Sequence, residues 1–405
     1  MPGNSLILTQ ADIYTPQKVV TAGAIVIEGG KIYFYADKLP PDKKCSADLL
    51  GLPQRRAGLK PCATLAESLN LKGCILVPGF IDLHNHGAMG IDFNATPPQD
   101  WLPVLKYMTS QGTTAYLATL ISSPHEHTIK SLTAIANYCS RNASPFAECL
   151  GIHLEGPYLN PQQKGIHNEK FLRLPNIPEI EEYITAGRNY LKMLTFAPEL
   201  DSSIIPYLVE QHIIPAAGHS TAGYDTSCRA ISAGLKYAVH TCNAMPVRHH
   251  REPGILGAVL EDDRVCCELI ADGIHLHPAL LKLVYKIKGA RKLVLSTDSI
   301  PPAGLPPGQY CLQDQTIVND SSRLSNPAGK LAGSSLTLVT AVKNMLKWSG
   351  CTLSEALTMA SFNPARILGL ANKGEIAEGK DADLIVFYPD LTIRMVIKGG
   401  NIVWP

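Results

Sequence analysis

The chain has no uninterrupted apolar run of about 18 residues, so a transmembrane helix is not expected. It has no excess of either charge: 36 Lys and Arg stand against 35 Asp and Glu, a formal net charge of +1. A general nucleic-acid binder or a membrane-surface protein needs a basic excess, and neither partner is expected. No CxxC pair occurs among the 11 cysteines, of which only Cys266 and Cys267 are adjacent. That excludes a disulfide framework and a cysteine-built metal site. The N-terminal Met1-Pro-Gly-Asn-Ser5 shows no basic segment leading into an apolar one, so a cytoplasmic location with reduced cysteines is the expectation. Charged residues are scarce at 18%, against 45% hydrophobic, which is the balance of a chain that buries a core.

What is present falls into three zones. A length of 405 residues suits two or three domains, or one large barrel with an attachment. Near the N-terminus, Ser5–Leu8, Lys18–Ile27 and Lys31–Tyr35 read as short strands punctuated by Gly29–Gly30. The C-terminal end reads alike, with Asp383–Phe387, Thr392–Ile397 and Ile402–Trp404 around the turn Gly399–Gly400. Residues 1–75 and 371–405 are therefore expected to form one small β-sandwich domain from both termini. Between them, an excursion at 38–70 is rich in Pro, Gly and basic residues, lacks any period, and reads as a surface loop.

Residues 76–370 change character. Short apolar, β-branched runs recur at Leu76–Leu83, Thr113–Thr119, Glu148–Leu154, Lys192–Phe196, Ile213–Ala217, Tyr237–Thr241, Val265–Ile270 and Lys292–Ser296. Helical segments intervene, such as Gln99–Ser110, Asp201–Gln211, Tyr224–Ala233 and Pro278–Lys288. Eight alternations predict an α/β fold of the (β/α)8, TIM-like barrel type. A doubly wound open sheet is the alternative, but it does not normally run to eight repeats.

Polar groups gather where these runs end. The first run closes on Asp82-Leu-His84-Asn-His86, the third on His153-Leu-Glu155, the fifth on Gly218-His219-Ser220. The sixth carries His240 and the eighth ends in Ser296-Thr-Asp298. In a barrel all these ends open on one face, where active sites lie. Residues i and i+2 of a strand point the same way, so His84 and His86 can face one ion together. Any one of these histidines alone reads as a satisfied core residue. Imidazoles and carboxylates delivered together by five strand ends read as the ligand set of a hydrolytic Zn²⁺ or Fe²⁺ site.

The string Pro78-Gly-Phe-Ile-Asp-Leu-His-Asn-His86 is similar to the first-strand signature of the amidohydrolase superfamily. More narrowly, His153-Leu-Glu-Gly-Pro157, Lys164-Gly-Ile-His167, Gly218-His-Ser220, His240-Thr-Cys-Asn-Ala-Met245 and Arg251-Glu-Pro-Gly254 resemble its N-acetylglucosamine-6-phosphate deacetylase family. Ala271-Asp-Gly-Ile-His275, Ser296-Thr-Asp298 and Leu331-Ala-Gly-Ser334 extend the resemblance, in order, over about residues 76–370. It implies a divalent metal on Glu155, His219 and His240, zinc first and iron as the alternative, with Asp298 as the catalytic acid–base. Members differ at the first strand. Because this chain has His84 and His86, the resemblance leaves one or two ions open, the second bridged by Glu155. It implies sugar contacts at Ile166, His167, Asn243, Ala244, Asp272, Gly273, Ile274, His275, Leu331, Ala332 and Gly333. Arg251 matches the phosphate-binding arginine, which in some members reaches across from the neighbouring subunit of a homodimer. The implied partner is a small amino-sugar phosphate, and the implied reaction releases acetate from N-acetyl-D-glucosamine 6-phosphate.

That chemistry suits the residues. Amide hydrolysis needs a water nucleophile at neutral pH, a polarised carbonyl and a proton for the departing amine, and a dication brings bound water towards a pKa of about 7. Asp298 can carry the proton, His167 and His275 can orient the substrate, and the planar fork of Arg251 can bond two phosphate oxygens. One rival is another amidohydrolase, dihydroorotase-like or deaminase-like. Many of those bridge their metals with a lysine at the end of strand four, and the run Lys192–Glu199 has none there. The other is a non-catalytic relative. His125, His127, His153, His212 and His277 are read as structural or exposed.

Overall fold

The computed structural model describes residues 5–36, 67–141, 144–246 and 249–405. Most of the 38–70 excursion lies outside the described residues. Its end does not, and Glu67–Asn70 is a strand paired parallel with Leu6–Thr9 rather than part of a loop.

Eight strands form one parallel sheet: Phe80–Asn85, Thr113–Ile121, Glu148–Glu155, Leu191–Phe196, Ile214–Ala217, Tyr237–Ala238, Cys266–Leu269 and Leu293–Leu295. The ring closes where Asn85 bridges Ser299 and the Asp298 amide donates to the His84 carbonyl at 2.9 Å. A helix follows each strand, at Leu102–Ser110, His125–Cys139, Ile177–Gly187, Ile204–Glu210, Tyr224–Ala233, Gly254–Glu261, Pro278–Lys288 and Leu338–Trp348. This is the (β/α)8 barrel. Helices cover one side of the strands and the lumen lies on the other, so every residue of Thr113–Ile121 is buried and the strand reads as a continuous apolar run. The last helix shows the complementary pattern, burying Leu338, Ala341, Val342 and Met345 at helical spacing. Its start is set by Thr337, whose hydroxyl accepts from the Thr340 amide. Ile81, Leu83, Ala115, Leu117, Met193, Ala216, Tyr237, Val239 and Val294 come from strands all round the ring and pack on one another, so they fill its interior. Among the described residues no helix is long and apolar enough to cross a membrane.

The terminal strands build a second eight-stranded sheet. Its order runs Asn401–Trp404, Ile393–Lys398, Leu384–Phe387, Ile75–Pro78, Leu6–Tyr14, Val19–Glu28 and Lys31–Ala36, with Glu67–Asn70 beside Leu6–Tyr14. The two halves of the sheet share a core that includes Leu8, Ile13, Ile25, Leu76, Leu384 and Ile397. The run expected as a single first barrel strand from Leu76 is two strands serving two sheets. Ile75–Pro78 pairs with Leu384–Phe387, and the chain crosses at Gly79 into Phe80–Asn85. A Cβ at Gly79 would lie 2.2 Å from the Thr114 hydroxyl, so only glycine permits the crossing. A small antiparallel sheet, Gly308–Leu312, Gln315–Asn319 and Leu324–Ser325, is inserted after the eighth strand and is not anticipated from sequence.

Candidate metal centre and sugar cavity

The chain must leave each strand sharply at the barrel mouth, and the backbone records it. His219, His240 and Asp298 have φ of 50°, 29° and 49°, a region that non-glycine residues enter at some cost. Glu155 ends the third strand, His219 and His240 lie just past the fifth and sixth, and Asp298 just past the eighth. Glu155, His219 and His240 are buried, and Asp298 is half-buried at the mouth.

Their polar atoms converge. Glu155 Oε1 lies 3.1 Å from His219 Nε2 and 3.0 Å from His240 Nε2, and those nitrogens are 3.1 Å apart. On the other side, His86 Nε2 lies 3.4 Å from Glu155 Oε2 and 3.1 Å from His84 Nε2. Asp298 Oδ1 stands 3.5 Å from His84 Nε2 and 3.3 Å from His86 Nε2. Two triads thus share one carboxylate: Glu155, His219, His240 and His84, His86, Glu155.

The tautomers decide what these atoms want. His219 Nδ1 donates to the Gln163 carbonyl at 2.7 Å, which leaves Nε2 as the bare nitrogen facing a carboxylate oxygen. His84 Nδ1 likewise donates to Glu268 Oε1 at 2.9 Å and turns its Nε2 inward, where a proton or a metal ion can sit. Lone pairs set against lone pairs repel unless a proton or a metal ion lies between them, and separations of 3.0–3.1 Å are near the edge of a tetrahedron, about 3.3 Å, around a zinc-sized ion. Orientation of a ligating imidazole by a partner on its other nitrogen is the usual support of a metal site. His167 is the opposite case. Its Nδ1 accepts from the Ser122 amide at 3.3 Å, so its Nε2 carries the proton and donates to Glu155 Oε2 at 3.2 Å. The donor set is compatible with a divalent metal, and it separates ligand-type histidines from one that donates.

Electrostatics follow. Burial alone would raise Glu155, but the positive charge of His84 and the hydrogen bond from His167 hold it well below the usual carboxylate range. Burial would lower His84, yet the Glu268, Glu155 and Asp298 carboxylates outweigh it and hold its pKa well above normal. Burial pushes His167 down to about 4, and burial with the neighbouring His84 charge pushes His153 down to about 3. His153 donates to the Leu83 carbonyl at 3.1 Å and accepts from Thr195 at 2.7 Å, a neutral core histidine.

Above the centre opens a cavity of about 340 Å³. Of the expected sugar contacts, Ile166, His167, Asn243, Ala244, His275, Leu331 and Gly333 line it, together with His86, Glu155, His219, His240 and Asp298. Five nominated positions do not. Asp272 stands behind His275, whose Nδ1 donates to its Oδ2 at 2.6 Å. Gly273 packs on Trp348, which a Cβ would strike at 2.6 Å, and Ile274 points to solvent. Ala332 is buried, with its amide on the Leu324 carbonyl. Arg251 is exposed, 2.9 Å from His250 Nε2, and reaches no part of this cavity.

Comparison with known proteins agrees with the geometry. A profile described as the amidohydrolase family matches residues 75–403. The chain belongs to the amidohydrolase family. It is 35% identical over 344 residues to an N-acetylglucosamine-6-phosphate deacetylase of Lysinibacillus sphaericus, covering 83% of this chain and 87% of that one. It is also 35% identical over 331 residues to an N-acetylgalactosamine-6-phosphate deacetylase of Escherichia coli O157:H7, covering 81% and 87%. The crystal structure of an N-acetylglucosamine-6-phosphate deacetylase from Pasteurella multocida superposes with a TM-score of 0.88 at 30% identity, over 99% of this chain and 100% of that one.

Three residues of this amidohydrolase's site are ones that motif reading passes over. Glu268, fully buried on the seventh strand, holds His84 and accepts from the Tyr237 hydroxyl and the His240 amide. Its signal was available, since a carboxylate inside the apolar run Val265–Ile270 must find partners. Asp82 pins Thr297 across the ring closure, and burial raises it to about 6 against hydrogen bonds from Thr297 and Asn85. Lys330 is the cationic side chain that lines the sugar cavity, and one lysine beside Leu331-Ala-Gly carries no sequence signal.

Proposed function

We propose that this amidohydrolase cleaves the acetamide of N-acetyl-D-glucosamine 6-phosphate, releasing D-glucosamine 6-phosphate and acetate. One observation carries the reading: two histidine triads sharing Glu155 meet Asp298 at the floor of a sugar-sized cavity. The two triads would hold one or two divalent ions, zinc first and iron as the alternative. Such a metal, when bound, polarises the acetyl carbonyl and supplies water acidified to a pKa of about 7. Asp298 is held below the usual carboxylate range, because His84 and His86 overcome the effect of burial, and is ready to accept a proton at neutral pH. It takes the proton of the attacking water and returns it to the sugar nitrogen as the carbon–nitrogen bond breaks. His275, anchored through Nδ1 on Asp272, turns its other edge to the cavity and orients the substrate, as does neutral His167.

Lys330 supplies charge for the phosphate from within the chain. Arg251, exposed and outside this cavity, suits the cavity of a second copy in a homodimer. The location is cytoplasmic. The functional division is a barrel that begins at Phe80, beside a small domain built by the strands within 6–36, 67–78 and 384–404. The E. coli relative favours a second reading at the sugar, N-acetyl-D-galactosamine 6-phosphate. Acetate release from both epimers by zinc- or iron-loaded protein tests both readings. Faster turnover of the gluco sugar supports the first, faster turnover of the galacto sugar replaces it with the second, and no release from either rejects deacetylation.

A further inference from the structure

On the barrel's opposite face, at the N-terminal ends of the strands, a second cavity of about 630 Å³ shares no lining residue with the first. Lys192, Lys236, Arg264, Lys292 and Arg366 line it, with His212 and no carboxylate. Four of these cations mark strand starts. Lys192 is the second residue of Leu191–Phe196, Lys236 and Lys292 immediately precede Tyr237–Ala238 and Leu293–Leu295, and Arg264 comes two before Cys266–Leu269. The closed ring thereby turns a recurring sequence position into one cluster in space. In a chain whose net charge is only +1, this is a concentrated asymmetry.

Arg264 is neutralised by Asp262, Nη2 to Oδ2 at 2.6 Å. Arg366 donates to the Arg291 carbonyl at 3.1 Å, a neutral partner. Lys192, Lys236 and Lys292 have no carboxylate within ion-pair distance among the described residues. Lysines that hold this fold together have partners, as Lys373 has in Glu148, Asp381 and Asp383 and Lys288 in the Val259 and Asp262 carbonyls. Here they converge unpaired on a hollow whose floor is apolar, from Ile213, Pro215, Ile367 and Leu368.

We propose that this hollow is a second ligand site, for a small organic molecule carrying two or more phosphoryl groups. Ammonium and guanidinium groups together suit phosphoryl oxygens, and the apolar floor accommodates the organic part. The volume lies within the range of about 300–1,000 Å³ usual for ligand pockets.

The test is calorimetric titration of the metal-loaded full chain with fructose 1,6-bisphosphate, with the sugar cavity first saturated by D-glucosamine 6-phosphate. Binding to the saturated protein is expected, weakening as salt rises from about 50 to 200 mM. The triple variant Lys192→Met, Lys236→Met, Lys292→Met is expected to lose at least about tenfold in affinity, with deacetylation measured without the probe unchanged. The single change Lys236→Met, at an exposed position, is expected to lose about threefold and serves if the triple variant does not fold. No binding to the saturated wild type, or unchanged affinity in the folded variants, overturns the proposal.

Discussion

Two clusters of buried charge in this chain draw on equally distant residues but differ in where their positive charge comes from. At the joint between the terminal sheet and the barrel, Lys373 Nζ contacts Asp383 at 2.7 Å and Glu148 and Asp381 at 2.9 Å. Lys398 adds contacts to Glu148 at 2.8 Å and Asp383 at 3.2 Å. Every carboxylate there has an ammonium from the same chain. At the barrel mouth, Glu155, Glu268 and Asp298 meet only imidazoles as ionic partners among the described residues, and two of those imidazoles are anchored through Nδ1 so that Nε2 faces inward. The first cluster is complete and serves architecture. The second is shaped to receive a cation from outside, which is what a hydrolytic centre requires. Carboxylates gathered without a lysine or arginine mark function more reliably than buried charge does by itself.

The sharpest way to break this contrast is Asp298→Asn, which removes the proton carrier and leaves the fold. Deacetylation should fall about a thousandfold with metal content unchanged, and retained activity would make the mouth a second structural cluster. At the joint, Lys373→Met removes the ammonium shared by three carboxylates, leaving Lys398 on Glu148 and Asp383 and Lys31 on Asp381. It should cost about 1.5–3 kcal/mol in urea unfolding while the turnover of the folded fraction is kept. This effect has a pH signature. Burial would raise Glu148, but Lys398 and Lys373 depress it below its ordinary value of 4.5. The stability from that depression is therefore present above pH 4.5 and lost as pH falls through the lower folded value, so the gap between wild type and variant should shrink only in acid.

Glu268→Gln tests the support beneath the mouth. With His84 less firmly oriented, metal affinity should drop about 10–100-fold, read by competition with a chelator. The smallest effect is expected at the rim. Lys330→Met should raise KM for the phosphorylated sugar about tenfold and leave the unphosphorylated sugar unchanged, and an equal change for both would remove Lys330 from phosphate recognition.

The barrel was legible because its strands are buried on both sides, so each appears as an apolar run, and its helices carry capping residues and a one-sided stripe. The mouth was legible because polar residues at the ends of such runs interrupt the pattern, as at His84, Glu155, His219, His240 and Asp298. Less was legible where one run serves two sheets, as at Gly79, since apolar character does not say which neighbour a strand pairs with. The insert at 308–325 has only short, half-exposed strands and little periodicity. Motif position nominated Asp272, Gly273, Ile274, Ala332 and Arg251 for the cavity, whereas contact depends on which way each side chain leaves its loop.

Composition and periodicity alone settled that the chain folds around a parallel ring with β-rich termini, because burial imposes a repeating demand on every strand and helix. They also placed imidazoles and carboxylates at strand ends, since those positions follow from the repeat itself. Only the folded ring decided that Glu155 stands between two pairs of histidines, that Gln163 and Glu268 choose their tautomers, and that lysines at successive strand starts meet in one hollow. Those relations join residues far apart in the chain, and they are set by ring closure and loop direction, which no local pattern encodes.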